Sequence, residues 1–404
     1  MKPGLLFLLN DLRPGGAEMF WIRLAQYFEN DYQVHLMGMF PENDDSAFVE
    51  LIEATPSINL WQPPAKEPTG RLKWWYWKLN AFAFKFGFKG VYNRLRDKWL
   101  IRCYQKELKR RNIKIINSSS LTTDNFAINY LKKNFQIPVL ITMHSSYNSE
   151  EWGALGSVDR YIKLSGEILN YADSILYTAD HNLKIFDKIK GYSGPTPEKA
   201  YLGFTRTAYS NIREDYSIPA DDFVVLMMAR GIREKGWLEA IEAFLKFNVK
   251  HEKAKLVLVS TETDHIKELR DKYKSNTNIV FTGYLKDPSK LIHSADCLIL
   301  PSHFSESLPY CIIEALACDK PVLATPVAEI PNMLSVDDYV AGGVIPFTNE
   351  GLADVEVLAN NLIRMADDKV WYNSLSQYAK LAFKKFSMEE CGEKYRIAYD
   401  KLLN

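Results

Sequence analysis

Short apolar runs bounded by turn residues, each followed by a longer helical pattern, recur along nearly the whole chain. In the first half they are "GLLFLLN" (4–10), "QVHLMGMF" (33–40), "IKIINSS" (113–119), "PVLITMH" (138–144) and "DSILYTA" (173–179). The second half continues with "FVVLMMAR" (223–230), "KLVLVST" (255–261), "NIVFTG" (278–283), "DCLILPS" (296–302) and "PVLATP" (321–326). A run that is apolar on both faces suits a parallel strand, because crossover helices cover both sides of a parallel sheet. The alternation therefore predicts βαβ units. A stretch rich in Gly, Pro, Ser and Thr, "GYSGPTPEKAYLGFTRTAYS" (191–210), separates two such series. Two doubly wound α/β domains facing each other are expected, and 404 residues are enough for both. Ligands of such folds bind outside the carboxyl ends of the strands, so the loops after these runs are where chemistry belongs.

Fifty basic and fifty acidic residues cancel overall, which excludes a general polyelectrolyte binder. The charge is nevertheless segregated. Between Gly70 and Lys114 there are fourteen Lys or Arg against two Asp or Glu, and 71–100 holds four tryptophans. On a helix over 71–86, Arg71, Lys78 and Lys85 form one stripe, with aromatic rings over much of the remaining circumference. Lys89 and Arg96 join the stripe only if the helix survives Gly87 and Gly90, which glycine opposes. Packing of the rings into the first domain accounts for some of them but not for fourteen cations. A patch lying on an anionic membrane accounts for both, through rings at headgroup depth and cations on lipid. Nucleic acid uses similar chemistry, but no other part of the chain resembles a nucleic-acid module. Five cysteines without a C-x-x-C pair argue against a disulfide framework or a zinc site. No run reaches the roughly 18 apolar residues of a membrane span. A cytoplasmic protein, peripheral on the inner face of the cell membrane through 71–111, is the expectation.

Three loops carry the candidate chemistry. In "NDLRPGGAE" (10–18), Gly15 and Gly16 allow close backbone approach to a ligand before a helix start that favours an anion, or simply make a turn. In "ARGIREKGW" (229–237), Arg230 and Lys235 bracket a loop after a strand and are able to reach one diphosphate, although such charges also suit a solvated turn. In "HFSESLPYCIIEALACDKPVLATP" (303–326), Glu306 stands at a helix mouth and Glu314 inside an apolar helix, where a carboxylate is costly without a partner. Sugar hydroxyls are one such partner and a structural salt bridge is another.

In this order and spacing the motifs resemble the retaining GT-B glycosyltransferases of family 4. The likeness rests on the R-x4-K pair Arg230 and Lys235, "NIVFTGYLKDPSKLIHSADCLILPS" (278–302), the E-x7-E pair Glu306 and Glu314, and "ACDKPVLATPVAEIP" (317–331). "GGAE" (15–18), "IPVLITMH" (137–144) and "ADSILYTAD" (172–180) extend it through the first half. The resemblance implies a GT-B fold. An acceptor-side domain would span 1–205, a sugar-nucleotide domain 206–380, and a final helix over 381–404 would pack back on the first domain. It implies that Arg230 and Lys235 neutralise the diphosphate of a sugar nucleotide and stabilise the leaving group. Glu314 would hold the ribose hydroxyls, and Glu306 the donor sugar. The backbone amides of Ser307 and Leu308 would lie near the phosphate, His144 beside the reacting sugar, and Gly16 would admit the diphosphate. No cofactor and no metal is implied, since protein cations take the metal's place, and the chain has no Asp-x-Asp.

The chain departs from the family at several positions. Ser307 stands where glycine is usual, Ala328 and Glu329 where Gly-Gly is frequent, "NSSS" (117–120) in place of His-x-His, and "LGF" (202–204) in place of an "NG" turn. A bulkier Glu329 near the donor pocket would bear on donor choice. The expected partners are a nucleotide-sugar donor, a glycan or lipid-linked acceptor and an anionic membrane, with no nucleic acid. Rival readings are another GT-B enzyme, such as an epimerase or a phosphorylase, and a non-catalytic sugar-nucleotide-binding protein of the same fold.

Overall fold

The structure is a computed structural model that describes residues 2–13, 15–63, 89–144, 157–209, 213–216, 218–219, 221–285, 289–303 and 306–404. The aromatic and basic positions 71–88 lie outside the described residues. The chain divides into two compact units, each described by itself. Unit 1 comprises Met1–Tyr177, Asn182–Lys199 and Lys394–Asn404, and unit 2 comprises Thr178–His181 and Ala200–Glu393.

Unit 1 is built on seven parallel strands, β1 (Gly4–Leu9), β2 (Gln33–Gly38), β3 (Ile58–Leu60), β4 (Ile113–Ser118), β5 (Val139–Met143), β6 (Ser174–Tyr177) and β7 (Glu198–Lys199). Their order across the sheet is β3-β2-β1-β4-β5-β6-β7. Every residue of β1 and β5 is buried, as expected of strands covered on both faces. The helix Lys89–Arg110 takes in Gly90 despite the cost of a glycine in a helix, and the continuation through Gly87 that the stripe needs lies outside the described residues. Near the amino end of a 22-residue helix that penalty is about 1 kcal/mol, small beside the packing of Tyr104 and Leu108, which are buried in the core. On the same helix Lys98, Arg102, Lys106, Lys109 and Arg110 are exposed, and Trp99 is 38% exposed.

The helix Met388–Leu403 ends in unit 1, where Tyr395 and Tyr399 are fully buried. They close a chain of hydrogen bonds. The Tyr395 hydroxyl donates to Thr142 Oγ1 (3.2 Å), Thr142 donates to Asn117 Oδ1 (3.0 Å), and Asn117 Nδ2 donates to the Tyr399 hydroxyl (2.9 Å). Asn117, one of the departures from the family pattern, is therefore spent on holding the terminal helix to β4 and β5.

Unit 2 has six parallel strands, β8 (Val224–Met228), β9 (Lys255–Val259), β10 (Ile279–Gly283), β11 (Cys297–Leu300), β12 (Val322–Ala324) and, at the edge, β15 (Gly342–Val344). A small antiparallel pair, β13 (Ser335–Val336) and β14 (Tyr339–Val340), lies apart from the sheet. The order β10-β9-β8-β11-β12-β15 repeats within this unit the 3-2-1-4-5-6 winding that β1 to β6 follow in the other. The helix Trp237–Asn248 buries Trp237, Ala240, Ile241, Phe244 and Phe247, a spacing that places one apolar stripe on the sheet. In both windings the chain reverses direction between the first and fourth strands, leaving a crevice at their carboxyl ends. In unit 2 that crevice lies between β8 and β11.

His35 is buried in the middle of β2, with Arg111 Nη1 3.1 Å from its Nδ1. Arginine only donates, so Nδ1 accepts and the ring is neutral. Burial, reinforced by Arg111 and Arg110, lowers its pKa to about 4. The unfolded chain takes up this proton near pH 6.5, before the fold does. Stability from this site is therefore complete above about 6.5 and lost as pH falls toward 4, by on the order of 3 kcal/mol. We predict that His35→Gln, which keeps an acceptor for Arg111, flattens that part of the urea-midpoint profile. An unchanged acid flank would contradict this.

Candidate active site

The loop after β8 is fastened at both ends before it presents a side chain. The Arg230 carbonyl accepts from Ile232 N–H (2.8 Å) and from the indole of the fully buried Trp237 (3.0 Å). Gly231 sits where an added Cβ would come within 2.7 Å of Ile266, Ser260 and Thr263. Gly236 ends the 3-10 turn Arg233–Lys235 at φ +77°, and a Cβ there would lie 2.1 Å from the Pro301 carbonyl oxygen. Only glycine accepts both that φ and that approach.

The loop after β11 is tied to the same turn. The Glu234 carbonyl accepts from His303 N–H (3.0 Å) and from Ser302 Oγ (3.2 Å), while Thr325, after β12, donates to the Ser302 carbonyl. With the two loops fastened together, Lys235 Nζ donates to Glu306 Oε1. Both side chains are nearly enclosed, 6% and 12% exposed. A pair withdrawn from water to this degree is a strong local constraint, since removing either partner strands a buried charge at about 3–5 kcal/mol.

Glu314 is the fifth residue of the helix Tyr310–Ala317 and is partly exposed. Cys311, one turn earlier on the same face, has its thiol pushed upward first by burial and then by the carboxylates of Glu306 and Glu314, with Lys235 opposing them. All three predicted residues thus act on one thiol. Sequence reasoning passed over Cys311, although its i,i+3 relation to Glu314 was a usable signal. Leu308 is buried, and Ser307 Oγ is buried with no hydrogen-bond partner among the described residues. The backbone N–H groups of Ser307 and Leu308 donate to no protein acceptor among the described residues. Arg230 lies on the same loop as Lys235, exposed, with no ion-pair partner among the described residues.

Glu329 does not line this site with a free carboxylate. It is 1% exposed and accepts from Asp180 N–H (2.9 Å), the Tyr201 hydroxyl (2.8 Å) and Asn332 Nδ2 (3.2 Å). Before it, Ala328 occupies the left-handed region at φ +46°, which accounts for the preference for glycine at that position. Gly203, in the "LGF" stretch, leaves no room for a side chain, because a Cβ would lie 2.7 Å from that of Cys391.

His144 and Gly16 belong to unit 1. Gly16 begins the helix Gly16–Tyr27 and is exposed. The helix mouth already holds an acid. Burial raises the pKa of Glu18, its own backbone N–H bonds to the carboxylate, Asp11 raises it further and Arg13 opposes. His144 follows β5, and both ring nitrogens are buried with no hydrogen-bond partner among the described residues. Burial alone lowers its pKa to about 3, so the ring is neutral.

Residues 209–382, which contain every unit 2 candidate, match the family model described as glycosyl transferases group 1. The lipopolysaccharide 1,2-N-acetylglucosaminetransferase of Salmonella typhimurium is 22% identical over 339 residues, 78% of this chain and 83% of that protein. The alpha-monoglucosyldiacylglycerol synthase of Acholeplasma laidlawii is 21% identical over 330 residues, 75% of this chain and 79% of that protein. Among solved structures, Anabaena HepE in complex with UDP and glucose superposes with a TM-score of 0.73 at 18% identity, covering 99% of this chain and 100% of that one. At that identity the likeness shows the fold, which is the GT-B fold with two Rossmann-like α/β domains. Within the residues that this family model matches, the R-x4-K and E-x7-E pairs meet at the β8/β11 crevice through Lys235 and Glu306.

Proposed function

We propose that the chain transfers a sugar from a nucleotide-diphosphate sugar to a glycan or lipid-linked acceptor, with retention at the anomeric carbon and without a metal. The carrying observation is the Lys235–Glu306 pair in the β8/β11 crevice, beside the unspent amides of Ser307 and Leu308 and the uncommitted Arg230. Cations and free N–H groups so arranged suit a diphosphate. As the bond from the anomeric carbon to the phosphate oxygen breaks, its electron pair passes to the nucleotide diphosphate. Lys235 and Arg230 stabilise that charge, and the acceptor oxygen forms the new bond as its proton passes to the departing phosphate oxygen. Glu314 holds the ribose hydroxyls, and Glu306 orients Lys235 and reaches the donor sugar; His144 and Gly16 are the candidates of unit 1. The activities named for the Salmonella and Acholeplasma relatives favour lipopolysaccharide, polysaccharide or glycolipid synthesis as the setting.

A screen of UDP-, GDP- and ADP-sugars by thermal shift and by transfer tests this reading. One nucleotide series should raise the melting midpoint, because a ligand that binds only the fold must stabilise it. Its sugar should be transferred, and Lys235→Ala should lower kcat by on the order of 100-fold. Transfer by Lys235→Ala at the wild-type rate would contradict the assignment.

We further propose that the helix Lys89–Arg110 rests on an anionic membrane. Its outward face presents Lys98, Arg102, Lys106, Lys109 and Arg110 beside the exposed Trp99. Among the described residues no helix is long and apolar enough to cross a membrane. Co-sedimentation is expected with vesicles containing anionic lipid and to weaken with salt. Equal binding to neutral vesicles would remove the electrostatic basis.

A further inference from the structure

At the amino ends of β8, β9 and β11, the end of the unit 2 sheet away from the β8/β11 crevice, lies a cavity of about 580 Å3. Asp222 and Phe223, leading into β8, form one side of it, and the turn 250–254, leading into β9, forms another. Asp296, leading into β11, and Lys369, which opens the helix Lys369–Phe383, complete it. All of these residues belong to unit 2. A cavity of this volume has room for a ligand of metabolite size.

Bonds within the protein fix its walls. Arg213 donates to the Ser294 carbonyl (2.8 Å), the Asp222 carbonyl (2.6 Å) and Asp296 Oδ2 (3.0 Å), and Asp296 Oδ2 also accepts from Val224 N–H (2.7 Å). Asn278 Nδ2 donates to Asn248 Oδ1 (3.0 Å) and to the Glu252 carbonyl (2.8 Å), while Asn248 Nδ2 donates to the His251 carbonyl (2.8 Å). The turn before β9 is thus held along its backbone, and the His251 ring stacks on Phe247 at 4.7 Å.

Two kinds of group are left over. Asp222 is 5% exposed, and its backbone N–H and carbonyl are bonded to Pro219 (3.2 Å) and Arg213, but its carboxylate has no hydrogen bond or ion pair among the described residues. A carboxylate enclosed to this degree is costly unless something donates to it. Lys250, Lys253 and Lys369 stand exposed around the opening, and their ammonium groups make no hydrogen bond or ion pair among the described residues. Lys369 meets the Tyr372 ring at 5.8 Å. Asp221 and Glu252 share the rim, so the opening is of mixed sign and does not suit a polyanion. A ligand that satisfies both sets carries one anionic group for the lysines and a hydrogen-bond donor for Asp222. Arg213, bonded to the carbonyl of that same residue, favours a neutral hydroxyl there over an ammonium.

We propose that this cavity binds a phosphorylated polyol such as a sugar phosphate, with the phosphate on Lys250, Lys253 and Lys369 and a hydroxyl donating to the Asp222 carboxylate. Lysine supplies point charges that suit a phosphate, and a carboxylate is an acceptor for a sugar hydroxyl. Phe223, packed edge-on against Phe247 at 5.6 Å, gives the ring carbons of the ligand an apolar wall. The site shares no residue with the loops of Lys235 and Glu306, and it does not rest on the glycosyltransferase reading.

Calorimetric titration of the full chain with glucose 6-phosphate, glycerol 3-phosphate and inorganic phosphate tests the proposal. At least one of the two esters should bind, and about tenfold more tightly than inorganic phosphate, as a hydrogen bond to a charged group allows. The double variant Lys253→Ala/Lys369→Ala, altered only at exposed positions, should weaken that binding by at least about tenfold. Asp222→Ala should erase the preference for the ester without lowering the melting midpoint, because the carboxylate holds nothing in the fold. Lys235→Ala should leave binding within about threefold of wild type, since it lies at the other end of the sheet. No binding of either ester below about 10 mM, binding lost in Lys235→Ala, or binding kept by the lysine double variant overturns the site. A preference that survives Asp222→Ala, or a lowered midpoint in that variant, overturns the role of the carboxylate.

Discussion

A buried ion pair between residues 71 positions apart organises the site. Lys235 and Glu306 stand on loops that leave β8 and β11, neighbouring strands between which the winding of unit 2 reverses. Taking both charges out of water is expensive, and their attraction offsets that only when the geometry is fixed by other contacts. The fixing contacts are backbone ones. The Glu234 carbonyl holds the β11 loop, Gly236 presses on Pro301, and Trp237 pins the turn from below. Electrostatics, turn chemistry and core packing therefore agree at one point, the crevice where a doubly wound sheet receives its ligand.

The same economy of parts appears in unit 1, with different chemistry. The rings of Phe20 and Trp21 pack edge-on against His144, and a chain of hydrogen bonds through Thr142 and Asn117 ties the last helix to β4 and β5. Residues near the carboxyl terminus thereby become part of the setting of His144. The basic helix shows a parallel division. Tyr104 and Leu108 anchor it in the core, while Lys98, Arg102, Lys106 and Lys109 stand exposed on its outer face and Arg110 pairs there with Glu107.

Strands such as β1, β5, β8 and β11 were legible because burial on both faces writes an unbroken apolar run. β3, β7 and β15 were not, being two or three residues long. β15 reads "GGV", with Gly342 at φ +139° and a would-be Cβ 1.8 Å from the Val322 carbonyl oxygen. No periodicity exists in so short an edge strand. Of the site, the resemblance supplied Arg230, Lys235, Glu306 and Glu314, but nothing in their spacing foretold that Lys235 and Glu306 would neutralise each other. That depends on the Glu234 carbonyl, a backbone group without a side-chain signature. Glu329 illustrates the converse. Its position suggested the donor pocket, whereas its carboxylate is committed to Asp180, Tyr201 and Asn332.

A double-mutant cycle on Lys235 and Glu306, read as urea unfolding free energy, tests most directly whether the site is built around this pair. Lys235→Ala and Glu306→Ala should each destabilise by about 3–5 kcal/mol, with the double variant falling short of their sum by at least about 2 kcal/mol. Single losses that add to within about 0.5 kcal/mol would mean that the two charges do not hold each other, and the account of the crevice would be wrong.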